Sequence, residues 1–147
     1  MSELEECLRK GLIRKTVASE GKALKSIAMA NKWLDEARKN LEHELVNSCL
    51  VSSYSAMFHA ARALLFRDGY REKSHYCVVR YLEEKYVKKG RMPRRVIDLL
   101  DRFRNLRHTD LYQLDFFVTK DEAEESIRSA EFVIREITQV IKRERKA

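Results

Sequence analysis

Apolar residues recur at helical spacing along most of the chain and divide it into six segments. Ser2-Glu3-Leu4-Glu5 reads as a capping box, with the Ser2 hydroxyl taking the Glu5 amide and Glu5 reaching back. A short helix with Leu4, Cys7, Leu8 and Leu12 apolar follows, and Gly11 weakens or ends it. The second helix starts near Ser19. Its Ala23, Ile27, Ala30, Leu34, Ala37 and Leu41 alternate steps of four and three, which draws one continuous apolar stripe. Many stripe positions are alanine, so a neighbouring helix can approach closely, and Trp33 borders the stripe as a packing anchor. The third helix, from about Glu44 to Phe66, aligns Val46, Leu50, Tyr54, Met57, Phe58, Ala61 and Leu65 on one face. Small residues (Ser52, Ser53, Ala56, Ala60, Ala63) keep its other faces narrow, so this helix is expected at the centre of the core with neighbours on several sides.

Asp68-Gly69 closes the third helix and opens a basic loop. Ser74 caps a fourth helix with Val78, Val79, Leu82 and Tyr86 on its apolar face. Lys88 to Arg91 form a turn, and Pro93 stands in the first turn of the fifth helix, where proline is tolerated. Val96, Leu99, Leu100, Phe103 and Leu106 give that helix its apolar face. Tyr112 to Phe117 read as a connector. Thr119-Lys120-Asp121-Glu122 is a second capping box, opening a last helix with Ala123, Ile127, Ala130, Ile134, Ile137 and Ile141 inward. Residues 142–146 read as a frayed, solvated end. The fold class is therefore all-α, as one domain over 1–147.

Composition supports this picture. Four glycines and one proline in 147 residues leave little material for many short strands, and 36% charged residues fit a largely helical surface. No apolar run approaches the roughly 20 residues of a membrane span, so no membrane is expected. The acidic start (Glu3, Glu5, Glu6) is not a signal-peptide layout. Cys7, Cys49 and Cys77 are odd in number and widely spaced. They argue against a disulfide framework and against zinc, and favour a reducing cytoplasm. A net charge of +7 permits an anionic partner such as RNA, and it serves solubility equally well.

The densest chemistry lies in Arg102 to Tyr112, which brings together Arg102, Arg104, Asn105, Arg107, His108, Asp110 and Tyr112. At about 100° per residue, Arg107 falls in the middle of the fifth helix's apolar face, with Asp110 one turn on. Arg104 and His108 flank that face as neighbours four residues apart. Arg102 falls about 120° away, so on a regular helix it cannot share one site with His108. Two readings stand. In one, Arg107 pairs with Asp110 to fix how the helix docks, because a guanidinium facing an apolar seam is costly unless paired. In the other, Arg107 and Arg104 hold phosphate, and His108 serves as general acid or base on the 2′-hydroxyl or the leaving oxygen. Arg102, Asn105 and Tyr112 are further candidates for binding. His59 has no reactive neighbour in sequence and is read as a hydrogen-bonded structural histidine. A Gly-rich phosphate loop and a His-Glu-x-x-His motif are both absent.

Three landmarks resemble a HEPN domain, the helical domain named for higher eukaryotes and prokaryotes nucleotide-binding. They are the block Tyr54-Ser55-Ala56-Met57-Phe58-His59-Ala60-Ala61-Arg62-Ala63-Leu64-Leu65-Phe66; Ser74-His75 opening the next helix, with Lys89-Gly90 beyond it; and the arginine-rich stretch ending in Tyr112, followed by Phe117-Val118-Thr119 and a helix opening Asp121-Glu122-Ala123. The resemblance spans about residues 19–140. It implies an up-and-down bundle of four or five main helices, here with the short N-terminal helix added. It also implies a homodimer and a metal-independent endoribonuclease of toxin-antitoxin type without cofactor, partnered by a small nucleotidyltransferase. The alternative is a non-catalytic module that binds RNA, a nucleotide or that partner. The family signature is an arginine, four to six residues, then a histidine. Arg102 and His108 meet the spacing, whereas alignment through Tyr112 makes Arg107 the family-like arginine and puts His108 in the polar position after it.

Overall fold

The caps that the sequence encodes start the helices. Ser2, Ser19, Ser74 and Thr119 each accept the backbone amide three residues on, and the Ser2–Glu5 and Thr119–Glu122 boxes both close. In the computed structural model, which describes residues 1–107 and 118–145, the helices are α1 (Glu3–Arg9), α2 (Glu20–Glu42), α3 (Val46–Asp68), α4 (His75–Leu82), α5 (Arg94–Asn105) and α6 (Lys120–Glu144). A π-helical turn, Glu83–Val87, extends α4. Pro93 is the N-cap of α5, one residue outside the expected first turn.

Helix α3 is the centre of the bundle and packs against α2 and α6. Its buried set (Cys49, Leu50, Tyr54, Ala56, Met57, Phe58, Ala60, Ala61, Ala63, Leu64, Leu65) surrounds the helix, as its small residues require. The stripes of α2 and α6 meet it with Ala23, Ala30, Leu34 and Ala37 on one side and Ala123, Ile127, Ala130, Ile134, Ile137 and Ile141 on the other. Ile27, Leu41 and Trp33 pack at the margin, half-buried. Buried hydroxyls are paired: Ser126 Oγ lies 3.0 Å from Ser53 Oγ and donates to the Ala123 carbonyl.

The structure corrects three expectations. First, the loop after Gly69 is not open. Tyr70–Glu72 (β2) pairs antiparallel with Ile13–Lys15 (β1), with Ile13 opposite Glu72. Gly69 makes this possible: at φ +86° it ends α3 in the left-handed region, and a Cβ there would meet the Thr16 carbonyl oxygen at 3.0 Å. Second, Cys7 and Cys77 form a disulfide across 70 residues, because α1 folds back on α4 and brings their Cα atoms to 5.8 Å; Cys49 stays free and buried. The bridge removes the cysteine-based argument for a reducing compartment. Third, the C-terminal end is anchored. Helix α6 runs to Glu144, whose carboxylate takes Arg67 Nη2 at 2.6 Å and Arg91 Nε at 2.8 Å. No described helix is long and apolar enough to cross a membrane.

Candidate functional site

The arginines near the end of α5 part company as the helical wheel requires. Arg102 projects to α6 and holds Glu125 with two guanidinium nitrogens, at 2.5 and 3.3 Å. Its side chain is half exposed, so it belongs to the outer surface of α5 and α6. Arg104 and Arg107 turn the other way, toward α3 and α4. Arg104 lies over the Tyr76 ring (5.3 Å to the centroid) and Arg107 over the Tyr54 ring (5.2 Å). Asp101 is shared between Arg80, its close partner, and Arg104 at 3.5 Å. The Nε atoms of Arg104 and Arg107 are both buried and find no hydrogen-bond acceptor among the described residues. Asn105 is the exposed last residue of α5, and π-type turning begins at Leu106 and Arg107. His108, Asp110 and Tyr112 lie outside the described residues. The formal Arg102–His108 motif therefore has its arginine engaged on α6, away from the face that Arg104 and Arg107 share.

That face opens into a pocket of about 130 Å³ between α3, β2 and α4, lined by Tyr54, Ser55, Phe58, His59, Arg62, Glu72, His75 and Arg107. Three elements supply it. Tyr54, Phe58, His59 and Arg62 stand on successive turns of α3, β2 delivers Glu72, and the Ser74 cap fixes His75 at the first position of α4. The His75 ring stacks on Phe58, with centroids 4.2 Å apart and 24° between planes, while its residue remains exposed at the rim. Arg62 Nε meets Glu72 Oε2 at 2.7 Å. Glu72 Oε1 is buried and has no hydrogen-bond partner among the described residues.

The oxygen of Tyr54 lies 2.6 Å from His75 Nδ1. Burial pushes the Tyr54 hydroxyl up to about 12, against the opposing pull of Arg107 and Arg104. Burial also lowers the His75 pKa, helped by the charges of Arg107, Arg62 and Arg104 and opposed by Glu72. At neutral pH the tyrosine therefore keeps its proton and donates it in a hydrogen bond to Nδ1 of an uncharged imidazole, which places the ring's single N–H at Nε2. His59 is lowered as well, by burial and by Arg62. Its imidazole lines the pocket, and the reactive neighbours it lacks in sequence arrive from β2 and α4. Neither His75 nor Glu72 stood out as a site residue in the sequence. The one available signal was the Ser74-His75 pair at a helix start.

Among the described residues, no three His, Cys, Asp or Glu side chains gather to hold a metal ion. The site is thus three guanidinium groups, two neutral imidazoles, a protonated tyrosine and one carboxylate. Such groups can hold phosphate and hydrogen-bond a planar heterocycle.

Comparison with known proteins agrees with this architecture. The HEPN domain family model matches residues 23–141. A protein of Methanocaldococcus jannaschii named "putative toxin" is 30% identical over 133 residues, covering 90% of this chain and 97% of its own length. A UPF0332 protein of Archaeoglobus fulgidus is 29% identical over 119 residues, covering 81% of this chain and 94% of its own.

Proposed function

Since this chain belongs to the HEPN domain family, we propose that it is an RNA-directed protein of toxin type in which Arg104 and Arg107 hold a backbone phosphate. On this reading His108 moves the proton in metal-independent cleavage. The observation that carries it is the pair of half-buried guanidinium groups stacked on Tyr76 and Tyr54, each with a buried Nε that no described acceptor meets. Such a cation is stabilised most when an anion completes its hydrogen bonds, and arginine presents a fork that fits phosphate. The uncharged His59 imidazole has a lone pair available for a proton, whereas that of His75 is taken by the Tyr54 hydroxyl. Two such edges joined in a homodimer would form one basic cleft, and a small nucleotidyltransferase is the proposed partner.

A second reading draws on the Arg102–Glu125 pair. With the arginine of the formal motif engaged elsewhere, the same edge would bind RNA without cutting it.

The test is incubation of a labelled single-stranded RNA with the protein in EDTA, alongside RNA affinity measured over a range of salt. Cleavage by wild type that falls at least about 100-fold in His108→Ala supports the catalytic reading. Binding without cleavage supports the second. Arg107→Ala is expected to weaken binding of every sequence and to lower the salt slope by about 0.7. Arg102→Ala is expected to leave affinity within about twofold, since a surface ion pair to Glu125 contributes little. A wild type that neither binds nor cuts RNA sinks both readings.

A further inference from the structure

We infer that the pocket between α3, β2 and α4 is a base-recognition subsite that takes one unpaired guanine of an RNA strand held at the Arg104–Arg107 edge. The inference rests on the reading above for the presence of RNA and adds what that reading leaves open, namely which base the site selects.

It is small, at about 130 Å³. Its accessible aromatic surface is the His75 ring, exposed at the rim and backed by the buried Phe58 on which it stacks. Unpaired RNA bases are bound by stacking on such rings and by hydrogen bonds to their edges. The polar groups then choose the base. Glu72 is only 10% exposed, one of its oxygens is ion-paired with Arg62, and the other is buried without a partner among the described residues. A buried acceptor of that kind asks for an N–H donor and repels a phosphate. Arg107, also in the lining, offers guanidinium donors, and donors of that type fit the O6 and N7 acceptors of guanine. Guanine carries both halves of this pattern: N1–H and N2–H on one edge for the carboxylate, O6 and N7 on the other for the guanidinium. Adenine puts an acceptor at N1, and uracil flanks its single N–H with two carbonyls. Because Arg107 lines the pocket and also stands on the phosphate-holding edge, base and backbone of one nucleotide can be engaged together.

The experiment uses 2′-O-methyl oligomers, which resist cleavage. One is eight uridines, and the other carries a single guanosine at the centre. Fluorescence anisotropy with the whole protein is expected to show the guanosine oligomer bound at least tenfold tighter. Glu72→Gln is expected to bring that oligomer down to the level of the uridine one. Since Glu72→Gln also disturbs Arg62 and could unfold β2, titration of wild type with GMP and with AMP supplies a second readout. GMP should shift the ring resonances of His59 and His75 at concentrations where AMP does not. Equal affinity of wild type for both oligomers, or equal shifts by GMP and AMP, overturns the guanine subsite and leaves the RNA-directed reading standing. Failure to bind either oligomer overturns both.

Discussion

The Tyr54 hydroxyl lies between a guanidinium and an imidazole, and the place of its proton decides what each can do. Held up to about 12 by burial, the hydroxyl stays protonated and can only donate to Nδ1 of a neutral His75. A charged His75 would lose that acceptor and would face Arg107, Arg62 and Arg104 as like charges. The same holds for His59 beside Arg62. The sign follows from the lowered folded-state values. Between the depressed pKa and about 6.5, the unfolded chain binds protons that the folded chain refuses. The contribution to stability is therefore complete above about pH 6.5 and is lost as pH falls through the folded values. Proton NMR of the ring resonances should place both midpoints below about 6.5. A midpoint at or above that value for His75 would contradict the neutral Tyr54–His75 pair. None of this was legible from neighbours in sequence, because Tyr54 and His75 are 21 residues apart.

At the scale of elements, the sequence was most informative where one face of one helix decides burial. The stripes of α2, α3, α5 and α6 and all four side-chain caps follow from local rules, and the structure realises them. Local rules fail where an element's fate depends on a distant partner. The strand Tyr70–Glu72 exists because Ile13–Lys15 lies alongside it, and neither has a strand-like run long enough to announce itself. The end of α6 is the clearest case. Residues 142–146 read as a solvated tail by composition, yet Glu144 sits between Arg67 and Arg91. Arg67 also donates to the Tyr86 hydroxyl, which with Tyr81 donates to Asp68 Oδ2 at 2.6 and 2.8 Å. One carboxylate thus ties α6 to α3 and to the turn before α5. The Arg91 and Arg67 hydrogen bonds draw its pKa down to about 2. That stability is present above about pH 4.5 and is lost as pH falls toward 2. Glu144→Gln should cost about 2 kcal/mol in urea unfolding at pH 7, since it removes the counter-charge of Arg91 and leaves Arg67 with Asp68 at 3.6 Å. A loss within error of zero would mean that the end of α6 is not fastened by this carboxylate.

For the whole molecule, the arginine-rich stretch showed the residue types of the site, and the fold decided which of them face it. Helical geometry alone separated Arg102 from Arg104 and Arg107, and that separation holds; the pocket that completes the face needed three elements to meet, which no single window of sequence contains. The same is true of the disulfide, the longest-range covalent link in the chain. It fastens α1 to α4 directly beside Tyr76, the ring on which Arg104 lies. Closing 70 residues of separation removes freedom chiefly from the unfolded chain, which in the loop-entropy picture is worth about 4.4 kcal/mol. Reduction should therefore lower Tm by roughly 14 °C in a domain of this size. Calorimetry with and without a thiol-free reductant checks it, with Cys7→Ser as the control that no longer responds. If reduction leaves Tm unchanged, the bridge contributes no net stability, and packing of Leu4 and Cys7 alone holds α1 in place. If Tm falls as expected while RNA affinity holds, the bridge serves the scaffold. A parallel loss of affinity would tie it through Tyr76 to the Arg104–Arg107 edge that we propose holds phosphate.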